Sequence, residues 1–230
     1  MTVHPGYRGR VPGSVTGGAP RLVGVLAVQG GVSEHLAALT AAGACAVPVR
    51  RRSELVGLDA IVLPGGESTT MIRLLETYDL VDPLRAAIAG GLPTFGSCAG
   101  MILLADELAG GPQGQLTLGG LHAVIRRNAF GRQVDSFEAD LMVTGIDEPD
   151  RAVHAVFIRA PWIEQASPDV QPLATLTRQA EIGGFAGRVV AARQGHLLVT
   201  AFHPELTGDH RLHSLFLTMI NDQQSAEANR

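Results

Sequence analysis

The chain has 230 residues, of which 46% are hydrophobic and 17% charged, and a net charge of -4. This is apolar material for one substantial core, without the basic excess of a nucleic-acid binder. Two cysteines give no disulfide framework, and no uninterrupted apolar stretch reaches the ~18 residues read as a membrane span, so a single cytoplasmic domain without a membrane anchor is expected.

Residues 1–20 carry Pro5, Gly6, Gly9, Pro12, Gly13, Gly17, Gly18 and Pro20 and no apolar h-region. They read as a disordered extension or a remnant of cloning rather than a signal peptide. The folded domain is expected over 21–222, with a disordered tail over 223–230. From Leu22 onward, strand-like runs at 22–28, 45–49, 59–63 and 92–95 alternate with helix-like runs at 32–42, 68–77, 83–89 and 99–108. That alternation is the signature of βαβ units and a parallel sheet. Strand-like runs at 118–126, 137–144, 152–158, 187–193 and 196–202 then follow closely, before a last helix near 209–221, so the later sheet is expected to be mixed. The fold class is α/β, three-layered, with a mostly parallel mixed sheet and helices on both faces. Cys45, in Ala44-Cys45-Ala46-Val47, is expected in a buried strand as a small hydrophobe.

The third strand-like run, Leu58-Asp59-Ala60-Ile61-Val62-Leu63, enters Pro64-Gly65-Gly66-Glu67-Ser68-Thr69-Thr70. Ser68 or a neighbouring threonine is expected to cap the next helix, and N–H groups at such a turn can bind a carboxylate or an oxyanion. Without the Lys-Ser/Thr of a phosphate loop, the turn does not argue for a nucleotide.

Phe95-Gly96-Ser97-Cys98-Ala99-Gly100 places a cysteine between a strand and a helix, with glycines on both sides to permit a sharp, strained turn. It reads as a nucleophile elbow: the following helix N-terminus favours the thiolate, and the Ala99 N–H is placed to stabilise an oxyanion. Taken alone, Cys98 reads more readily as a small buried hydrophobe than as a nucleophile.

The run 196–202 ends in His203-Pro204-Glu205. In an extended segment, His203 and Glu205 would face the same side, roughly 6.5–7 Å apart. Pro204 takes the chain out of the sheet at a strand's carboxyl end, where open α/β sheets place their sites. Cys98 as nucleophile, His203 as base and Glu205 as the carboxylate that orients it fill the roles of a triad. A zinc deaminase would need a Pro-Cys-x-x-Cys, which is absent. A metal cage from His203, Glu205, His210 and His213 fits on spacing but lacks further support, and no metal is expected.

The combination of Gly-Ser-Cys-Ala-Gly, His-Pro-Glu and Leu-Pro-Gly-Gly-Glu-Ser resembles the class I, triad-type glutamine amidotransferases. Leu26-Ala27-Val28-Gln29-Gly30, Arg127-Asn128-Ala129-Phe130-Gly131-Arg132-Gln133, Phe157-Ile158-Arg159-Ala160-Pro161 and Phe202-His203-Pro204-Glu205-Leu206-Thr207 narrow the likeness to the glutaminase subunits of pyridoxal 5'-phosphate synthase. The resemblance spans about 22–220; Ser97 stands where threonine is also common in that family. It implies that Cys98 attacks the side-chain amide of L-glutamine, that His203 relays the proton and that Glu205 orients it. It further implies that Gly66, Glu67, Ser68, Arg127, Ile158 and Arg159 bind glutamine, and that the N–H groups of Gly66 and Ala99 form the oxyanion hole. Arginine suits an α-carboxylate because it offers two parallel N–H bonds. Ammonia would pass to a (β/α)8 synthase subunit in a large hetero-oligomer, and this chain would need no cofactor. A different cysteine hydrolase of the same fold and a regulatory subunit with a dead site are the alternatives.

Overall fold

A computed structural model describes residues 19–111, 114–130, 136–177 and 185–228. The expected extension therefore lies outside the described residues except for its last two positions, as do Gly131, Arg132 and Gln133 of the resemblance.

The elements follow in chain order. Strand β1 (Leu22–Leu26), helix α1 (Val32–Ala41) and β2 (Cys45–Val49) are followed by β3 (Ala60–Leu63), α2 (Ser68–Thr77) and α3 (Val81–Ala89). Then come β4 (Thr94–Ser97), α4 (Ala99–Leu104), β5 (Ala105–Ala109), β6 (Leu121–Arg126), β7 (Ser136–Leu141) and β8 (Val153–Ile158). The remainder is β9 (Trp162–Ala166), β10 (Gln171–Thr175), β11 (Val189–Gln194), β12 (Leu197–Thr200), a 3-10 turn at Pro204–Leu206 and α5 (Arg211–Ala228).

The central sheet runs in the order β2-β1-β3-β4-β12-β11-β9-β6-β5, with β10 on β11, while β7 and β8 form a separate antiparallel ribbon. From β2 to β12 every pairing is parallel; β11 pairs antiparallel with β12, β9 and β10. The fold class is thus the expected mixed α/β sheet. Strand order reverses at β1, so right-handed crossovers send α1 to one face and α2 and α3 to the other. Accordingly α1 packs with α5, and α2 with α3 and α4. The strands between them read as apolar runs because both faces are covered: Val23, Val25, Ile61, Leu63, Phe95, Leu198 and Val199 are fully buried.

Several expectations need correction. Cys45 does lie in a strand, but it is exposed, because β2 is the sheet's edge and its first residue is left uncovered. The helix after the elbow stops at Leu104. Ala105–Ala109 becomes strand β5 beside β6, with tertiary pairing overriding the helix preference of Asp-Glu-Leu-Ala. Strands β9 and β10, absent from the expected list, fill the gap between β8 and β11. The final helix continues to Ala228, into the residues expected as a tail, because the side chains of Gln223 and Gln224 bond the Gly91 carbonyl and Asp59.

Candidate active site

Three chain segments meet at the carboxyl ends of β3, β4 and β12. The register pairs Thr200 with Ser97 across β12 and β4, so the residues that follow, Cys98 and the approach to His203, leave the sheet side by side. Cys98 adopts φ 47 and ψ -101, the strained backbone expected of an elbow. Its flanking glycines are forced by contact. A Cβ on Gly100 would come within 2.1 Å of the Leu63 carbonyl oxygen, and one on Gly96 within 2.6 Å of Gly100. Ala99 opens α4, where the first amides have no intrahelical acceptor and can serve a ligand.

His203 stands next to Cys98. Its Nδ1–H donates to Oε1 of Glu205 at 2.8 Å, and its backbone N–H donates to the Val156 carbonyl of β8 at 3.0 Å. The pairing is the expected one, but the backbone is not extended: His203 precedes the 3-10 turn and Glu205 lies inside it. This curl closes the separation that a strand would leave between residues i and i+2. Burial opposes a charge on His203, yet hydrogen bonding and attraction from Cys98 and Glu205 outweigh it and raise its pKa to about 10. The Glu205 carboxyl, whose burial works against ionisation, is held below its ordinary value by His203 and His35. The site therefore favours an imidazolium on His203, with the Glu205 carboxylate on one side and Cys98 on the other.

The Pro64-Gly65-Gly66 turn is fixed from two sides. The Gly65 carbonyl accepts from the Gly31 N–H at 3.1 Å, and a Cβ on Gly30, which has φ 104, would fall 1.9 Å from that oxygen. Oε1 of Gln29 accepts from the Glu67 N–H at 2.9 Å, leaving no room for a side chain on Gly66. A Cβ on Gly65 would strike the His203 ring at 2.2 Å. The cap of α2 is Glu67 rather than Ser68 or a threonine: its carboxylate accepts from the N–H groups of Thr69 and Thr70 at 3.0 and 2.7 Å. These bonds outweigh partial burial and lower its pKa to about 2.

Arg127 follows β6 and is largely buried. Its Nη2 lies 3.4 Å from Glu67 Oε1 and 3.3 Å from Thr69 Oγ1, and its Nη1 donates to Gln115, whose Nε2 in turn donates to Ser68 Oγ at 3.2 Å. Its Nε is buried without an acceptor, a donor that a substrate carboxylate can satisfy. Arg127, Glu67 and Ser68 are thus brought together. The Ile158 carbonyl lies 3.9 Å from Cys98 Sγ, which places the end of β8 beside the elbow. Arg159 is exposed, with φ 45.

Behind Glu205 lies a group that the sequence reading passed over. His35, fully buried on α1, has Nε2 2.9 Å from Ser97 Oγ and 3.3 Å from Glu205 Oε2, and Nδ1 3.1 Å from Nε2 of His213. A polar residue on the apolar Ala38-Leu39 face of α1 was the available signal. His213 belongs to this network; among the described residues no group of three or more His, Cys, Asp or Glu is arranged to hold a metal.

The SNO glutamine amidotransferase family model matches residues 25–222. The pyridoxal 5'-phosphate synthase subunit PdxT of Parafrankia sp. (strain EAN1pec) is 58% identical over 92% of this chain and 98% of its own length. PdxT of Acidothermus cellulolyticus is 58% identical over 87% and 94%. Among solved structures, a glutamine amidotransferase shares 46% identity with a TM-score of 0.76, covering 86% of this chain and 98% of that one. PurLQS from Thermotoga maritima, at 16% identity and a TM-score of 0.59 over 89% and 99%, shares the fold alone. With matches of this extent, and a cysteine elbow facing a His-Glu pair, the chain belongs to the SNO glutamine amidotransferase family.

Proposed function

We propose that the chain hydrolyses L-glutamine to L-glutamate and ammonia, and that it supplies the ammonia to a pyridoxal 5'-phosphate synthase subunit. The observation that carries this reading is the strained Cys98 elbow next to a His203 whose far nitrogen is bonded at 2.8 Å to buried Glu205. The relatives named above supply the synthase context.

In this mechanism the Cys98 thiolate attacks the δ-carbon of glutamine. The carbonyl electron pair moves onto oxygen, and the N–H groups of Gly66 and Ala99 receive the resulting oxyanion. His203, as imidazolium, gives its proton to the departing nitrogen; the C–N bond breaks, ammonia leaves and a γ-glutamyl thioester remains on Cys98. His203 then takes a proton from water as the water oxygen attacks the thioester. Glutamate leaves and the thiolate–imidazolium pair is restored. Glu205 holds the ring in one tautomer throughout and offsets its positive charge. Arg127 binds the substrate α-carboxylate, with Glu67 organising the helix start and Ser68, Ile158 and Arg159 lining the amino-acid end.

The synthase partner is read as a (β/α)8 subunit in a large hetero-oligomer. A reactive Cys98 and an exposed free Cys45 suit the reducing conditions of a cytoplasm. Glutamate release from glutamine, followed with and without the synthase subunit, tests the function. Trapping with a glutamine analogue that alkylates Cys98 tests the covalent step. Turnover without a labelled Cys98 would overturn the mechanism.

A further inference from the structure

Glu205 has two carboxylate oxygens, and the triad uses one. Oε1 receives the His203 proton at 2.8 Å, whereas Oε2, equally buried, has no hydrogen-bond partner among the described residues and lies 3.3 Å from His35 Nε2. A carboxylate held at one oxygen only can swing about its last torsion, carrying Oε1 off the line to His203. Helix α1 blocks that swing. Gly31, at its start, approaches Glu205 so closely that a Cβ would sit 3.1 Å from Oε1, and His35, one turn later, meets Oε2.

The proton on His35 can be located from its surroundings. His213 Nδ1 is buried without a partner, and a buried bare N–H is costlier than a bare lone pair, so His213 carries its proton on Nε2 and donates it to His35 Nδ1. With Nδ1 occupied as acceptor, neutral His35 carries its own proton on Nε2, donates it to Ser97 Oγ at 2.9 Å and keeps it beside Glu205 Oε2. The carboxylate independently selects the same tautomer, because a lone pair aimed at Oε2 would be repelled. Burial, first of all, keeps both rings neutral, lowering His35 against the pull of Glu205 and His213 to about 3. A neutral ring packed against the carboxylate does not compete for its negative charge, which stays available to the imidazolium on His203.

We propose that His35 is a positioning residue of the glutaminase: its ring, pinned by Ser97 and His213, sets the Nε2–H dipole beside Oε2 of Glu205 and blocks the carboxylate's swing, so that Oε1 remains aimed at His203. The proposal rests on the Cys98-His203-Glu205 reading. Outer partners that orient metal-binding side chains are worth about 10–100-fold in activity, and by the same logic His35→Leu should lower kcat on that order. The KM for glutamine should stay within about twofold, since His35 touches no substrate-binding residue. His35→Gln, whose amide nitrogen can occupy the position of Nε2, should return kcat to within about threefold of the wild type. Nitrogen NMR of histidine-labelled wild-type chain should find the proton of His35 on Nε2, a readout independent of whether either variant folds. A proton on Nδ1, a folded His35→Leu with wild-type kcat, or a His35→Gln no better than His35→Leu would overturn it. Cys98→Ala, run in the same assay, distinguishes the two readings: retained hydrolysis there removes the triad itself, whatever His35 does.

Discussion

The backbone N–H of Cys98 donates to the carbonyl oxygen of Thr200 at 2.8 Å, so Cys98 and the strand that leads to His203 are tied by the last rung of the β4-β12 ladder. Residues a hundred positions apart are thereby held in one register by main-chain bonds. Side chains at the site can then be exchanged without dismantling it.

Cys98→Ala should abolish glutaminase activity while leaving the fold intact, because it removes the sulfur and little volume. Alanine meets the same unusual backbone angles as cysteine, so no new strain arises. Cys45→Ala, at an exposed edge-strand position, should leave glutamate release unchanged. Activity in Cys98→Ala, or its loss in a folded Cys45→Ala, would show that the wrong cysteine has been assigned.

Arg127→Ala should raise the KM for glutamine far more than it lowers kcat. A charged hydrogen bond is worth roughly 1.5–3 kcal/mol, and each ~1.4 kcal/mol is a factor of ten, so the rise should be about ten- to hundredfold. Arg127 also bonds Glu67, Thr69 and Gln115, so a thermal melt should accompany the kinetics. A well-folded variant that binds glutamine normally would remove Arg127 from the substrate site.

Stability should peak near neutral pH, because two histidines act in opposite directions. His203 is raised from 6.5 to about 10 in the folded chain, so its contribution is full below pH 6.5 and is lost as pH rises through about 10. His213 is lowered from 6.5 to about 3, chiefly by burial, so its contribution is full above pH 6.5 and is lost as pH falls toward about 3. His35, also lowered, acts in the same sense as His213. Denaturant midpoints across pH should fall on both sides. His213→Phe should soften the acid limb between about pH 6.5 and 4.5 while leaving the alkaline limb in place. An unchanged acid limb in that variant would contradict the assignment.

Much of the site was legible because its signals are local. Glycines around Cys98, the proline after His203 and the Pro-Gly-Gly turn each report a backbone demand that neighbouring residues express. The His203-Glu205 pair was found from spacing that assumed an extended chain; proline instead started a 3-10 turn, which brought the two side chains closer. What was missed depends on distant partners. Helix preference in Asp106-Glu107-Leu108-Ala109 gave way to pairing with β6, and β10, with Pro172 in it, is held against β11 through register shifts. His35 and His213 sit on helix faces otherwise built of Leu39, Phe216 and Ile220, where the sequence shows a polar residue in the core but not the carboxylate that meets it.

The Gln29-Gly30-Gly31 segment should govern how far the synthase switches the enzyme on. Gly31 N–H holds the Gly65 carbonyl, and the Gly65–Gly66 peptide carries the Gly66 N–H proposed above as an oxyanion donor, so movement of this segment would reorient that N–H. Ammonia released into water is protonated and lost as a nucleophile, which favours a glutaminase that stays slow until its partner docks. The purified chain is expected to be weakly active, and the synthase to raise the rate on the order of tenfold or more by ordering the site. Gly30→Ala would place a methyl 1.9 Å from the Gly65 oxygen. Displacing an oxyanion donor costs roughly a hundredfold or more in kcat, so this variant should stay slow even with the synthase bound. Glutamate release, measured for both forms with and without the synthase, checks each part. Full activity of the isolated wild-type chain, unchanged on adding a competent synthase, would refute the switch, and normal activation of Gly30→Ala would clear this segment of any part in it.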